Sequence, residues 1–161
     1  VDAAYGLHRD MRGHTGILAT MGTQNAPLYA RSAKQKIHTR SSTEAELVAL
    51  DDGFLHLLWL RQILDFLGYP QSPAYVYQDN KSTIFVCETG YSKNGKLKHM
   101  AIRYYFIHGH IENNIAKLKY CKTEEMLADL LTKPLGQGES VKVFQKLRDK
   151  LLNKAHEAWL S

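Results

Sequence analysis

Four acidic side chains stand at positions where they could do chemistry. Asp2 lies in an apolar segment at the start of the chain, Glu46 lies one turn inside a long amphipathic segment, and Asp79 directly follows the apolar run AYVYQ. Asp129 stands between two apolar residues further along. Hydrolases of phosphodiesters that lack a covalent nucleophile hold two divalent cations about 3.5 to 4 Å apart, and such hard ions take several carboxylates from different elements. If the four acids converge in the fold, they supply that ligand set.

Each of the three aspartates also has a simpler interpretation. Asp2 suits a strand residue at the surface, Asp79 suits the N-cap of a helix that begins after it, and Asp129 suits a solvated helix face that it shares with Glu125. The end of a strand is where open sheets with parallel pairs place their ligand sites, which favours a functional role for Asp79. Taken one by one, the aspartates leave both interpretations open.

The two glutamates at the start of the long helix also fit helix caps. Ser41 with Glu44, and Thr43 with Glu46, each match a capping box, in which a Ser or Thr caps the helix and a Glu three residues later reaches back. Taken alone, either glutamate is better explained as part of a cap than as a metal ligand.

The first half of the chain predicts three strands followed by a long helix. Short apolar runs in residues 1–32 are broken by polar and Gly-rich stretches, which is typical of strands joined by hairpins. Apolar residues then recur at spacings of three and four from Leu47 to Leu67, which predicts an amphipathic helix of about 25 residues. Its N-cap is expected within residues 41–43, and Gly68 is expected to end it.

The second half predicts strands that alternate with helices. AYVYQ and AKLKYC are typical of strands, whereas DNKSTIFVCETG, HMAIRYYFIHGHIENN and TEEMLADLLTKPLG predict helices, the last stopped by Pro134 and Gly136. A further helical stripe with basic residues closes the chain. The order βββ, α, β, α, α, β, α and one more helix predicts an α/β fold, a mixed sheet covered by helices.

Composition narrows the class of protein. The chain has 161 residues, 44% hydrophobic and 23% charged, which suits one globular domain, and no apolar run approaches the roughly 18 residues of a membrane span. A net charge of +5 favours an anionic partner. The two cysteines lack metal-ligand spacing and predict a reducing, intracellular setting. Because the chain opens on Val1 without an initiator Met or a signal-peptide pattern, we expect it to be a piece of a longer protein.

Spaced sequence words, in order, cover roughly residues 1–136: VDAAY, MRGHTG, KQKIHTRSSTEAELVAL, YQDNKSTI, LKHMAIRYYFI and YCKTEEMLADLLTKPL. On these words the chain resembles the ribonuclease H family, specifically the ribonuclease H domain at the C-terminal end of copia-type retrotransposon Pol polyproteins. The resemblance implies a ribonuclease H-like fold with a five-stranded mixed sheet, its first three strands antiparallel, flanked by helices. Residues 1–136 would form this domain, and residues 137–161 a basic amphipathic helix that packs on the domain or extends it.

The resemblance also implies a metal site. In related enzymes four carboxylates hold two Mg²⁺ ions, for which Mn²⁺ can substitute, and the matching acids here are Asp2, Glu46, Asp79 and Asp129. The acid that matches Asp2 bridges both ions, those that match Glu46 and Asp79 complete one, and the one that matches Asp129 helps to hold the other. We choose Glu46 over Glu44 because AELVAL matches the family's helix at an acid followed by two aliphatic residues, and Glu44 lies about 200° around the helix.

The implied activity is endonucleolytic hydrolysis of the RNA strand of RNA/DNA hybrids during retrotransposon reverse transcription. The implied partners are the RNA/DNA hybrid and a reverse transcriptase domain upstream in the same polyprotein, with no membrane and no organic cofactor. The setting would be a cytoplasmic retrotransposon particle or the nucleus. Two alternatives stay open: a catalytically inactive module of the same fold that binds nucleic acid or scaffolds a reverse transcriptase, and another nuclease or transposase of the same superfold.

Polar and basic residues beside the proposed ligands are candidates for contacting the hybrid. Selectivity for RNA requires reading its 2′-OH groups through the wide minor groove, and Ser41, Ser42 and Asn80 are of the right type and place, with helix capping as their alternative role. Two basic clusters suit phosphate groups, although charge runs are usually solvated faces. The clusters are Arg31, Lys34, Lys36 and Arg40, and Lys93, Lys96, Lys98 and Arg103. The binding candidates among the charged residues are Lys36, Arg40, Lys98 and His99.

The sequence departs from the wider family at one position. Many ribonucleases H carry a mobile His between the fifth strand and the helix of the last Asp, where CKTEEM has none, an absence that copia-type members share. Another group or solvent is expected to take over its task. His99 in LKHMAIRYYF matches a family motif and is expected to face a phosphate or to support the structure.

Overall fold

The computed structural model describes residues 1–22, 27–91, 95 and 97–132, and isolated positions at 141, 144, 145, 148 and 149. Its elements follow the predicted order as far as the fifth strand. The strands are β1 (Asp2–Ala4), β2 (His14–Thr20), β3 (Pro27–Lys34), β4 (Ala74–Gln78) and β5 (Ala116–Tyr120). The helices are α1 (Ser42–Phe66), α2 (Lys81–Thr89) and α3 (Ala101–Glu112), with short 3-10 segments at Lys98–Met100, Thr123–Glu125 and Leu127–Leu131. The fold is therefore mixed α/β, as predicted.

The strands form two sheets and not the single five-stranded sheet that we expected. β1, β2 and β3 are antiparallel in that order, with Asp2 opposite Gly16, which confirms the predicted antiparallel trio. β4 and β5 form a separate parallel pair. The nitrogen of Val1 donates a hydrogen bond to the Tyr77 carbonyl oxygen at 3.2 Å, so the start of β1 lies beside β4. This proximity does not extend into a ladder between the two sheets in the described residues.

Helix α1 has the limits that the sequence predicts. It contains 25 residues, and Ser41 is its N-cap, accepting a hydrogen bond from the Glu44 backbone nitrogen at 3.2 Å. After its C-terminus the backbone of Gly68 adopts φ +83°, a left-handed conformation that favours glycine. The predicted length, N-cap and glycine stop are all confirmed.

One cluster of buried side chains joins α1 to α2, α3 and β5. Burying a Leu or Phe side chain contributes about 1.5 to 3 kcal/mol, so this cluster fixes the first half of α1 against the strands. The cluster comprises Leu47, Val48, Leu50 and Phe54 of α1, Val86 and Cys87 of α2, Leu97 and Met100, Tyr104 and Ile107 of α3, and Ala116 and Leu118 of β5.

The segment TEEMLADLL is not the continuous helix that the sequence predicts. It forms two 3-10 segments, Thr123–Glu125 and Leu127–Leu131, separated by Met126. Met126 is buried and has an extended backbone, with φ −72° and ψ 99°, which interrupts the helix. The helical face that Asp129 was expected to share with Glu125 is therefore not formed.

The predicted C-terminal helix, residues 137–161, lies outside the described residues apart from the isolated positions given above, which are helical. Lys93 and Lys96 of the second basic cluster also lie outside them. Within the described part of the chain, no helix has the length and apolar character needed to cross a membrane.

Candidate metal centre

Three of the four predicted acids meet at one place in the fold. Asp2 belongs to β1, Glu46 to the start of α1, and Asp79 directly follows β4. Each offers one carboxylate oxygen, and these three atoms lie within 4.8 Å of one another. Asp2 and Glu46 are 3% and 6% exposed, and Asp79 is partly buried. No other group of three His, Cys, Asp or Glu side chains in the described residues has this geometry.

The two glutamates at the start of α1 have different partners. Glu44 belongs to the helix cap, because its Oε2 accepts a hydrogen bond from the Arg40 backbone nitrogen at 2.8 Å and its own nitrogen donates to Ser41. The other oxygen of Glu44 lies 3.4 Å from Nε2 of His99. Glu46 lies instead in the carboxylate cluster. The structure therefore places the two acids on different sides of the helix.

The N-cap of α2 is Asn80 and not Asp79. The Oδ1 atom of Asn80 accepts hydrogen bonds from the backbone nitrogens of Ser82 and Thr83, at 3.0 and 3.1 Å. The simpler interpretation of Asp79 as a helix cap is therefore wrong. Its carboxylate lies in the cluster with Asp2 and Glu46.

A buried amide holds Glu46. Gln78, the last residue of β4, donates from Nε2 to Oε2 of Glu46 at 3.2 Å. The Oε1 atom of Gln78 accepts from the backbone nitrogens of Asp79 and Asn80, at 2.7 and 2.9 Å. One side chain thus contacts both Glu46 and the backbone that carries Asp79.

Two threonine hydroxyl groups donate hydrogen bonds to the carboxylates of Asp2 and Asp79. Thr132 donates to Oδ2 of Asp2, and Thr123 donates to Oδ2 of Asp79 at 2.7 Å. Sequence reasoning identified neither of them, nor Gln78. For Gln78 a signal was present, because it shares the inward face of β4 with Ala74 and an apolar Val76, where a polar residue requires a buried partner. The threonines carried no comparable signal.

The electrostatics of the cluster favour a bound cation. Burial, and after it the negative charges of Asp2 and Asp79, raise the pKa of Glu46 from 4.5 to about 8. Without a counter-charge, three acids so close together cannot all ionise easily. Carboxylate oxygens are the ligands that Mg²⁺ and Mn²⁺ prefer. The residues present therefore fit a hard divalent cation, which Asp2, Glu46 and Asp79 could hold.

Asp129 lies near this cluster but not in it. Its carboxylate is not one of the three that come within 4.8 Å of one another. Its carbonyl oxygen lies 3.2 Å from the hydroxyl group of Thr132, which donates to Asp2. Asp129 is thus attached to the cluster through one intervening residue, and its role as a ligand of a second ion stays a prediction.

The predicted nucleic-acid contacts are distributed as follows. Ser42, the first residue of α1, is exposed, whereas the hydroxyl group of Ser41 is used as the N-cap and the Oδ1 atom of Asn80 caps α2. The side-chain nitrogen of Asn80 makes no hydrogen bond to the described residues. Lys36, Arg40, Lys98 and His99 are all exposed.

Other members of the two basic clusters are engaged within the protein. Arg103 forms an ion pair with Asp51, and Lys34 forms one with Asp10 at 2.6 Å. Arg31 lies 2.7 Å from Nε2 of His56. These three cations therefore have structural partners, unlike the exposed lysines at positions 36 and 98, for which the described residues supply no ion pair.

The chain is similar in sequence to segments of plant transposon polyproteins. The chain is 34% identical over 112 residues to the "Retrovirus-related Pol polyprotein from transposon RE2" of Arabidopsis thaliana, which is 69% of this chain and 8% of that protein. The corresponding polyprotein from transposon RE1 of the same plant is 33% identical over 112 residues, again 8% of its length. The one from transposon TNT 1-94 of Nicotiana tabacum is 30% identical over 128 residues, 80% of this chain and 9% of that protein.

The homologues of this chain are therefore retrovirus-related Pol polyproteins of plant transposons, and the chain spans less than a tenth of their length. No family model matches the chain. No solved structure matches it either.

Proposed function

We propose that the chain is the ribonuclease H domain of a copia-type retrotransposon Pol polyprotein, with a ribonuclease H-like fold, and that it cleaves the RNA strand of RNA/DNA hybrids. The observation that carries the proposal is the convergence of Asp2, Glu46 and Asp79 from three separate elements. The similarity to segments of retrovirus-related Pol polyproteins of plant transposons supports it.

The carboxylates would hold divalent cations, Mg²⁺ or Mn²⁺, in this centre. Asp2, Glu46 and Asp79 would hold one ion, and Asp129 would contribute to a second position. Bound cations supply activation of a water molecule and neutralisation of charge on the departing 3′ oxygen. The protein's own part is to orient the carboxylates through Gln78 and to limit the access of bulk water by burying Asp2 and Glu46.

Basic and polar residues are the proposed contacts of the hybrid duplex. Exposed Lys36, Arg40 and Lys98 would contact phosphate groups, and His99, held by Glu44, would lie against the same backbone. Ser42 and the side-chain nitrogen of Asn80 would meet the 2′-OH groups of the RNA strand, the feature that separates RNA from DNA. In this arrangement the acidic centre receives one phosphate while the basic residues hold the rest of the duplex.

The decisive experiment compares an acid of the centre with an acid outside it. Asp79→Asn removes one ligand charge at nearly constant volume, and Asp65→Asn changes an exposed acid of α1 in the same way. With Mg²⁺ and an RNA/DNA hybrid, the parent and the Asp65 variant should cleave the RNA strand. The Asp79 variant should lose at least about 100-fold in rate, since a ligand of the centre is removed.

Three outcomes of this experiment would contradict the proposal. Equal cleavage by parent and Asp79→Asn would exclude this centre as the active site. Hybrid binding without cleavage by the parent would favour the inactive binding module. Cleavage of double-stranded DNA or RNA in place of the hybrid would favour another nuclease of the same superfold.

A further inference from the structure

Gln78 occupies a place that the proposed activity does not by itself explain. It is fully buried, at 0% exposure, at the C-terminal end of β4. An amide there costs free energy unless its donors and acceptor are satisfied. Its neighbours Asp79 and Glu46 belong to the carboxylate cluster, so its partners determine how the cluster is arranged.

The orientation of the Gln78 amide follows from its partners. Two backbone nitrogens, those of Asp79 and Asn80, point at one end of the amide at 2.7 and 2.9 Å, and only an oxygen can accept from both. The other end must therefore be the NH₂ group. That end lies 3.2 Å from Oε2 of Glu46, so Gln78 donates to a carboxylate oxygen.

The two ends of this side chain act on different acids. The oxygen fixes the turn between β4 and α2, from which Asp79 projects and in which Asn80 caps the helix. The NH₂ group fixes one oxygen of Glu46 on α1. The relative position of two acids from different elements thus depends on one rigid planar group.

We propose that Gln78 is a positioning residue of the metal centre, which fixes Glu46 and Asp79 in the arrangement that binds a divalent cation. This inference rests on the proposed function. Residues that orient metal ligands without touching the ion typically contribute 10- to 100-fold to metal affinity. The same contribution is expected here.

The test measures Mn²⁺ binding directly, by titration calorimetry and by the electron paramagnetic resonance of free Mn²⁺. Gln78→Met removes the amide at similar length. The matched control is Gln35→Met, because Gln35 is also buried and hydrogen-bonded, to Thr15 and to the Ala45 carbonyl oxygen, but does not contact the three acids. The Gln78 variant should bind Mn²⁺ at least tenfold more weakly, and the Gln35 variant within twofold of the parent.

A second readout uses the parent protein and so does not depend on whether the variant folds. In ¹⁵N-resolved NMR spectra, the side-chain NH₂ signals of Gln78 should shift on addition of Mg²⁺, while those of Gln35 stay in place.

A third readout is hybrid cleavage by the variant. Raising the Mn²⁺ concentration should restore the cleavage rate of Gln78→Met, since the defect lies in metal affinity. A variant that is only less stable would not be restored in this way.

The outcomes separate this inference from the proposed function. If the parent binds Mn²⁺ and cleaves the hybrid while Gln78→Met binds Mn²⁺ equally tightly, only the role of Gln78 is overturned. If the NH₂ signals of Gln78 do not shift when Mg²⁺ binds, the role of Gln78 is overturned as well. If the parent binds no Mn²⁺, both the metal centre and the role of Gln78 are wrong.

Discussion

The hydroxyl group of Thr132 donates a hydrogen bond to Oδ2 of Asp2 at 2.5 Å, although the two residues are 130 positions apart in the sequence. Both are almost completely buried, so water does not compete for this bond. The same hydroxyl group lies 3.2 Å from the carbonyl oxygen of Asp129. The segment Leu127–Leu131 is thereby attached to β1 at the carboxylate cluster.

Replacing Thr132 by Val should test this attachment. The variant keeps the volume but leaves Oδ2 of Asp2 without the hydroxyl donor, so the free energy of unfolding should fall by about 1 to 3 kcal/mol. Thr132→Ser keeps the donor and should lose clearly less. Urea unfolding without divalent cations measures both values. A Val variant as stable as the parent, with a loss in the Ser variant, would show that packing of the methyl group, and not the hydrogen bond, matters at this position.

Gly16→Ala should displace the same segment from the other side. A Cβ atom on Gly16 would lie 2.6 Å from the Ala128 carbonyl oxygen and 2.7 Å from Cγ2 of Thr132, distances at which the backbone must move. We expect a loss of about 1 to 3 kcal/mol in the free energy of unfolding, together with slower hybrid cleavage. Gly109→Ala is the control, because its Cβ has no neighbour within 4 Å and alanine favours a helix, so this variant should be at least as stable as the parent. A Gly16 variant with parental stability would contradict the close packing.

The part of the fold that local sequence determines was predictable. The limits of α1 follow from a Ser cap, three- and four-residue spacing and Gly68, all of which are visible in the sequence. The predicted strands β4 and β5 also have regular local patterns. In contrast, the register between separate elements is decided by tertiary packing. The division into two sheets was therefore missed.

In the site, too, some features follow from local sequence and others depend on tertiary packing. Type and place made the acids candidates, the resemblance to the ribonuclease H family selected them as a ligand set, and Asp2, Glu46 and Asp79 do come together. Their hydrogen-bond donors come from distant positions such as Thr132, and no local pattern marks such a pair. The 3-10 geometry around Asp129 was also missed, because the burial of Met126, a tertiary effect, overrides the helical spacing of that segment.

Ion pairing within the protein should decide which cations bind nucleic acid. Lys98 is exposed, whereas Arg103 is paired with Asp51 and partly buried. Lys98→Ala should weaken hybrid binding and reduce the slope of log affinity against log salt by roughly one unit. Arg103→Ala should lower stability and leave that slope unchanged. Fluorescence anisotropy at several salt concentrations measures the slopes, and an unchanged slope for the Lys98 variant would remove this residue from the interface.

The raised pKa of Glu46 should make the metal-free protein less stable as the pH rises. The folded protein keeps the proton up to a pKa of about 8, whereas the unfolded chain loses it near 4.5, so the folded state binds more protons between these values and stability falls across that range. Glu46→Gln has no such proton. Its advantage in unfolding free energy at pH 8 should be on the order of 4 kcal/mol and should shrink toward pH 5. Urea unfolding in chelator across this range measures it, and parallel pH profiles of the two proteins would rule out the raised pKa.

Cation binding must displace this proton, because only the ionised carboxylate is a ligand. At pH 7, below the pKa of about 8, Glu46 holds its proton in the metal-free protein, so binding of Mg²⁺ should release about one proton. At pH 9 the release should fall to nearly zero, and the apparent affinity should rise with pH and level off above 8. Titration calorimetry in buffers of different ionisation enthalpy counts the protons. Glu46→Gln should show no such release at pH 7, and tight binding by the parent without proton release would place Glu46 outside the ligand set.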